Sequence, residues 1–154
     1  MKKLIKNYTT EVPVEKTVVE IQELLRRGGP RAVALEYNDE GVLEDIFFKV
    51  AVKGRELAFR LPAKAASVYQ AMWGSRQRWE SERYGGGWKR QAERIAWRIC
   101  KSWLEAQLTL VALEQARVEE VFLPYLIMPN NKTLFETMEE RNLLLPSGSP
   151  QERD

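Results

Sequence analysis

Histidine is missing from this chain and cysteine occurs once, at Cys100. Without histidine there is no Cys/His nucleophile pair and no zinc-finger ligand spacing, and a lone cysteine cannot close an internal disulfide. Metal and thiol chemistry are therefore not expected, and Cys100 reads as a small apolar residue on a helix. Long hydrophobic runs are also missing. Stretches such as "VFLPYLIM" fall far short of the roughly 18 residues needed to cross a bilayer, and the basic start "MKKLIKNYTT" lacks the apolar region of a signal peptide. The expectation is an intracellular, cytoplasmic protein that does not enter the membrane. There is no internal repeat. An excess of one charge is lacking too, since 24 Lys/Arg stand against 22 Asp/Glu, and a net charge of +2 taken alone predicts no polyanion binding.

What is present suits one globular domain. The 154 residues, 44% hydrophobic and 30% charged, can bury one core but not two comfortable ones; we expect a single α+β domain over residues 1–145 and a disordered tail over 146–154, "PSGSPQERD". The near-zero net charge hides a segregation. Residues 1–75 carry 12 cations and 10 acids, residues 76–101 carry 8 and 3, and residues 102–154 carry 4 and 9. A basic middle followed by an acidic last third can steer an anion to one face or bring two copies together.

Periodicity sets the expected elements. "VEKTVVEIQELLRR" places Val14, Val18, Ile21 and Leu25 at helical spacing, and "GGP" at 28–30 ends that helix. The period then changes to two, predicting antiparallel strands at about 32–37, 43–52 and 55–61 with turns at "NDEG" and "KG". "AKAASVYQAMW" reads as a second helix, and "GSRQRWESERYGGG" at 74–87 as a flexible loop. A long helix is predicted over about 88–115, with Trp88, Ala92, Ile95, Ile99, Trp103, Ala106, Leu110 and Leu113 as its packing seam. "RVEEVFLPYLIMP" follows as a short helix or extended segment, and Asn130 or Asn131 is expected to cap a last helix. The fold class is thus α+β: an N-terminal helix, a three-stranded antiparallel sheet, then a helical C-terminal half with one long helix.

The opening of that long helix, "GGGWKRQAERIAWRICKSWLEAQ", mixes cations with indoles. Arg90, Arg94, Trp97 and Lys101 recur at spacings of four, three and four, with Arg98 beside them. Cations neutralise phosphates while an aromatic ring between them stacks on a base, the combination used by single-strand binders and nucleotide sites. Trp88 and Lys89 lie at the start of the helix, where free N–H groups attract anions, and the preceding loop adds Arg76, Arg78, Trp79 and Arg83. The competing reading is packing: the same row continues as Leu104, Leu108 and Val111, so Trp97 can sit in a helix contact while its arginines pair with Glu93 and Glu105. Two apolar stripes on one helix also predict a homo-oligomer.

Catalysis finds little support. The adjacent acids "DE", "ED" and "EE" read as solvated charges, and "RRGGPR" lies between a helix and a strand, the reverse of a phosphate-binding strand, loop and helix. No catalytic residue, cofactor or metal ligand is expected. The element order is similar to that of double-stranded-RNA-binding domains and of the core of phage single-strand annealing proteins, although in "LPAKAAS" only Lys64 matches the basic motif of the former. Through "EKTVVEIQELL", "AFRLP", "ERIAWRICKSWLEAQ" and "EVFLPY", the chain also resembles small uncharacterised proteins encoded by bacteriophages and prophages. That resemblance implies a phage setting, in replication, recombination or counter-defence. The expected function is non-enzymatic binding of nucleic acid, single-stranded in form, through the Arg/Trp surface. The alternative is an anti-defence protein that sequesters a nucleotide immune signal or inhibits a host defence protein, and a third reading is a purely structural subunit.

Overall fold

Residues 7–74 and 87–144 are described by the computed structural model. Helix α1 (Val14–Gly28) buries Val18, Ile21 and Leu25 on one stripe and ends where Gly29 takes a left-handed conformation (φ 98°) that costs a residue without Cβ little. Strands β1 (Ala32–Tyr37), β2 (Leu43–Val52) and β3 (Arg55–Arg60) form an antiparallel sheet in the order β1-β2-β3. Both turns follow from their residues. The Asn38 Oδ1 accepts the N–H groups of Glu40 (2.9 Å) and Val42 (3.0 Å), an Asx turn. Lys53 and Gly54 both have positive φ, the two-residue turn whose twist matches the strands it joins.

Alternation gives the sheet two faces. The register pairs Val33 with Phe48 and Phe48 with Phe59 on the inner face, and Ala34 with Phe47 and Phe47 with Arg60 on the outer. The far edge of β3 is met by the later segment at Leu126–Ile127, where the Ile127 N–H donates to the Ala58 carbonyl at 2.8 Å.

Helices α2 (Ala65–Trp73), α3 (Gly87–Ala112), α4 (Val118–Phe122) and α5 (Leu134–Glu140) complete the fold, with a 3-10 turn at Leu123–Tyr125. The α+β architecture expected from periodicity is thus the one observed, and the three strands agree with their predicted limits to within a residue. Helix α3 packs on α1 and α2 and supplies Trp97, Cys100 and Leu104 to a core shared with α1 and the sheet. Its approach to α1 is close: a Cβ added at Gly28 would lie 3.0 Å from Leu108 Cδ2. Phe48 stacks on Phe59 (5.4 Å between ring centres), and Phe122 meets Phe48 edge-on at 5.2 Å, locking α4 onto the sheet.

Two expectations need correction. The predicted seam is buried only in part: Ala92 and Ile95 are in the core and Trp103 and Leu110 are half-buried, whereas Trp88, Ile99, Ala106 and Leu113 are exposed. The reason is the length of α2, which lies along α3 with Trp73 stacked on Trp88 and its first turn near Glu93 and Trp97. Beyond that point nothing from α2 covers the face. The last helix is capped not by Asn130 or Asn131 but by Thr133, whose hydroxyl accepts from the Glu136 N–H while the Glu136 carboxylate accepts from the Thr133 N–H. "TLFE" is a capping box, and the asparagines shape the turn before it, Asn131 at φ 62°.

Candidate functional site

Helix geometry divides the predicted cationic row. Trp97 lies about 60° around α3 from Arg94, enough to carry its ring under the sheet, where it is 2% exposed. That burial does not suit the stacking surface expected of it: the indole is core, and only a sliver of the residue borders the space beside α2. Arg98 turns toward α1 and pairs with Glu20 beside the Thr17 hydroxyl, and Lys101 pairs with Glu105 at 2.9 Å on its own helix. Arg98 thus ties α3 to α1, while the Lys101 pair lies within α3. Trp88, stacked on Trp73 at 5.9 Å, keeps 45% of its surface exposed. Arg76, Arg78, Trp79 and Arg83, together with most of the predicted 74–87 loop and the whole 146–154 tail, lie outside the described residues.

Arg90 and Arg94 remain, one turn apart on α3. Neither forms an ion pair among the described residues; Arg94 donates to Gln91 Oε1 at 3.2 Å. Gln91 in turn donates to the carbonyls of Tyr8 and Thr10, holding the segment before α1 against α3. The two arginines form one wall of a cleft of about 650 Å³ with an apolar floor of Val14, Val18, Leu35 and Val42. Tyr37 stands on the lip, 57% exposed. The start of α1 opens onto the same cleft at Pro13 and Glu15, with no side chain capping its first N–H groups, so the positive end of its dipole faces the space.

A second cleft of about 590 Å³ adjoins the first, and the two share Glu40, Val42, Leu43 and Glu93. Here the cationic wall is Lys64 and Lys89, the helix start is that of α2, and the acids are Glu40, Glu44 and Asp45. Glu93 stands between the clefts, 5% exposed and with no hydrogen bond or ion pair to any described residue. Burial pushes its carboxyl up to about 7, partly offset by Lys89 and reinforced by Glu44. Among the described residues no group of three or more Asp, Glu or Cys is placed to hold a metal ion, and no helix is long and apolar enough to cross a membrane.

Glu93 is not among the site residues expected from the sequence, although its spacing carries a signal. Glu93, Trp97, Cys100 and Leu104 are spaced by four, three and four on α3, so a carboxylate heads the stripe that becomes core. Tyr37 and Glu40 carried no local signal, because only the register of β1 and β2 places them opposite α3. Comparison with protein-family models, with curated proteins and with solved structures finds no match to this chain.

Proposed function

We propose that the protein is a non-enzymatic binder of a phosphorylated nucleoside, held in the cleft beneath Arg90 and Arg94. The observation that carries this reading is a pair of arginines without carboxylate partners among the described residues, set over an apolar floor and facing an exposed tyrosine. Guanidinium groups and the start of α1 attract the phosphate, and stacking on an aromatic such as Tyr37 is worth about 1–3 kcal/mol per base. The volume lies in the range of small-ligand sites, about 300–1,000 Å³.

Geometry favours the compact pocket, sequestration of a nucleotide signal, over the extended single-strand track. A track needs a continuous row of free cations with open rings between them, and this one loses its ring, Trp97, to the core and Arg98 and Lys101 to ion pairs. Acids lining the cleft, Glu15 from α1 and Glu40 from the β1–β2 turn, further disfavour a long polyanion while offering acceptors to hydroxyl or amino groups. The single-strand reading keeps one supporting observation, the continuity of the two clefts past Glu93. In a phage setting, pocket binding fits counter-defence and strand binding fits replication or recombination. A homo-oligomer belongs to the same proposal, because Ile99, Ala106 and Leu113 leave an apolar face on α3 uncovered.

Titration with adenosine monophosphate and with oligonucleotides of increasing length separates the forms. Pocket binding saturates at one ligand per protomer, gains nothing beyond short oligomers and weakens only modestly with salt. Affinity that climbs with strand length and falls steeply with salt transfers the function to the strand reading. Reversing Arg90 and Arg94 to Glu lowers affinity at least about tenfold, the cost of about 1.4 kcal/mol or more from losing charge-assisted contacts. Unchanged binding in that variant removes the site.

A further inference from the structure

The two clefts repeat one layout, although they are built from different elements. Each has the start of a helix, α1 or α2, opening onto it; each takes two cations on its helical wall; each faces carboxylates of the β1–β2 region. In the second cleft the helix start is bare: Lys64 offers no side-chain cap to α2, and the N–H groups of Ala65 and Ala66 have no acceptor among the described residues. Such N–H groups, backed by a nine-residue helix, attract an anion.

A helix start alone does not make a site, and here Glu93 is the second observation. Its side chain is nineteen-twentieths buried, is unpartnered among the described residues, and borders both clefts. Its carboxylate oxygens are not sealed away from the clefts, since no fully buried side-chain oxygen among the described residues lacks a partner, so they can accept from a ligand group that enters either one. The charged groups around it come from every neighbouring element: Lys89, Arg90 and Arg94 from α3, Lys64 from the entry to α2, Glu44 and Asp45 from β2, Glu40 from the turn and Glu15 from α1. Cations thus stand on the helical walls and acceptors on the sheet side.

We propose that the second cleft is a second nucleotide subsite, so that the ligand is a dinucleotide with amino-bearing bases that bridges the two clefts across Glu93. One phosphate lies between Arg90, Arg94 and the start of α1, the other against Lys64 and the bare N–H groups of α2. The ring amino groups point toward Glu93 and the acids of the turn and β2, which accept from them. Adenosine and cytidine supply such a donor, and uridine does not. This inference rests on the nucleotide reading of the first cleft and extends it to a ligand class.

Calorimetric titration of the full chain with adenosine monophosphate, 5′-phosphorylated adenosine dinucleotide and its uridine counterpart tests it. The adenosine dinucleotide is expected to bind at least about tenfold more tightly than the monophosphate, since the second contact is made within one molecule, and more tightly than the uridine form. Lys64→Glu, a change at an exposed residue, is expected to remove that gain. A dinucleotide no tighter than the monophosphate, a gain that survives Lys64→Glu, or equal binding of uridine and adenosine dinucleotides overturns the two-subsite inference and leaves the first cleft standing. Failure of all three probes to bind removes both readings together.

Discussion

Glu93 is a carboxyl whose position works against the fold. Its titration is pushed from the ordinary 4.5 up to about 7 by burial, so the folded chain holds a proton that the unfolded chain releases. Stability therefore falls as pH rises from about 4.5 to about 7 and levels off above that range. Glu93→Gln, which keeps the shape and removes the charge, is expected to raise stability by about 2 kcal/mol at pH 8, allowing for partial screening, and to change little at pH 4. Urea midpoints at the two pH values measure this, and an equal shift at both contradicts the buried-carboxyl account. Cys100 is the opposite case, a group made inert by its place. Burial pushes its thiol up to about 12, so a thiol reagent at pH 7.5 is expected to label the folded protein only as fast as it opens, and to label it quickly in urea. Both residues were visible in the sequence, Cys100 correctly read as a small apolar residue and Glu93 noted only as a partner for arginines. Local spacing reveals that a residue lies on a stripe, and the stripe becomes core only when another element covers it.

At the scale of elements, α3 divides its cations between architecture and the candidate site. Arg98 bridges to Glu20 on α1 at a half-buried seam, so Arg98→Ala is expected to cost about 1 kcal/mol of stability and to leave nucleotide affinity unchanged. Arg90→Glu is expected to do the reverse. Thermal denaturation paired with titration distinguishes them, and a variant that moves both readouts together denies the separation. Trp97→Ala removes a core indole and is expected to cost about 3–5 kcal/mol. The elements themselves were legible. Asn38 with Gly41 and Lys53 with Gly54 specify their turns through residues no more than four apart, and the change of period from 3.6 to 2 after Gly29 marks where helix gives way to sheet. The seam of α3 was half legible, because its burial depends on how far α2 extends along it.

For the whole molecule, the uncovered part of α3 carries the remaining expectation. Leu113 is 63% exposed and lies on the same face as Ile99 and Ala106. Sedimentation velocity is expected to show a dimer or larger species at micromolar concentration, and Leu113→Glu is expected to shift it toward the monomer; a parent chain that sediments as a monomer removes the oligomer from the proposal. Charge acts at this scale as well. The basic middle of the chain, read along the sequence, predicts a cationic surface, yet folding sets Glu15, Glu40 and Glu44 around Arg90, Arg94, Lys64 and Lys89, so the surface becomes a pair of mixed-charge clefts.

By itself the sequence determined the α+β class, the strand limits, the turns and the stop of α1, because these depend on backbone preferences and on spacing within a few residues. Only the tertiary structure decided which side of α3 would be covered, that Trp97 would be core, that Arg90 and Arg94 would keep no carboxylate partner among the described residues, and that Glu93 would stand between two clefts. Those outcomes depend on where α1, α2 and the β1–β2 turn meet α3, and contacts between residues from 15 to 83 positions apart leave no trace in local pattern.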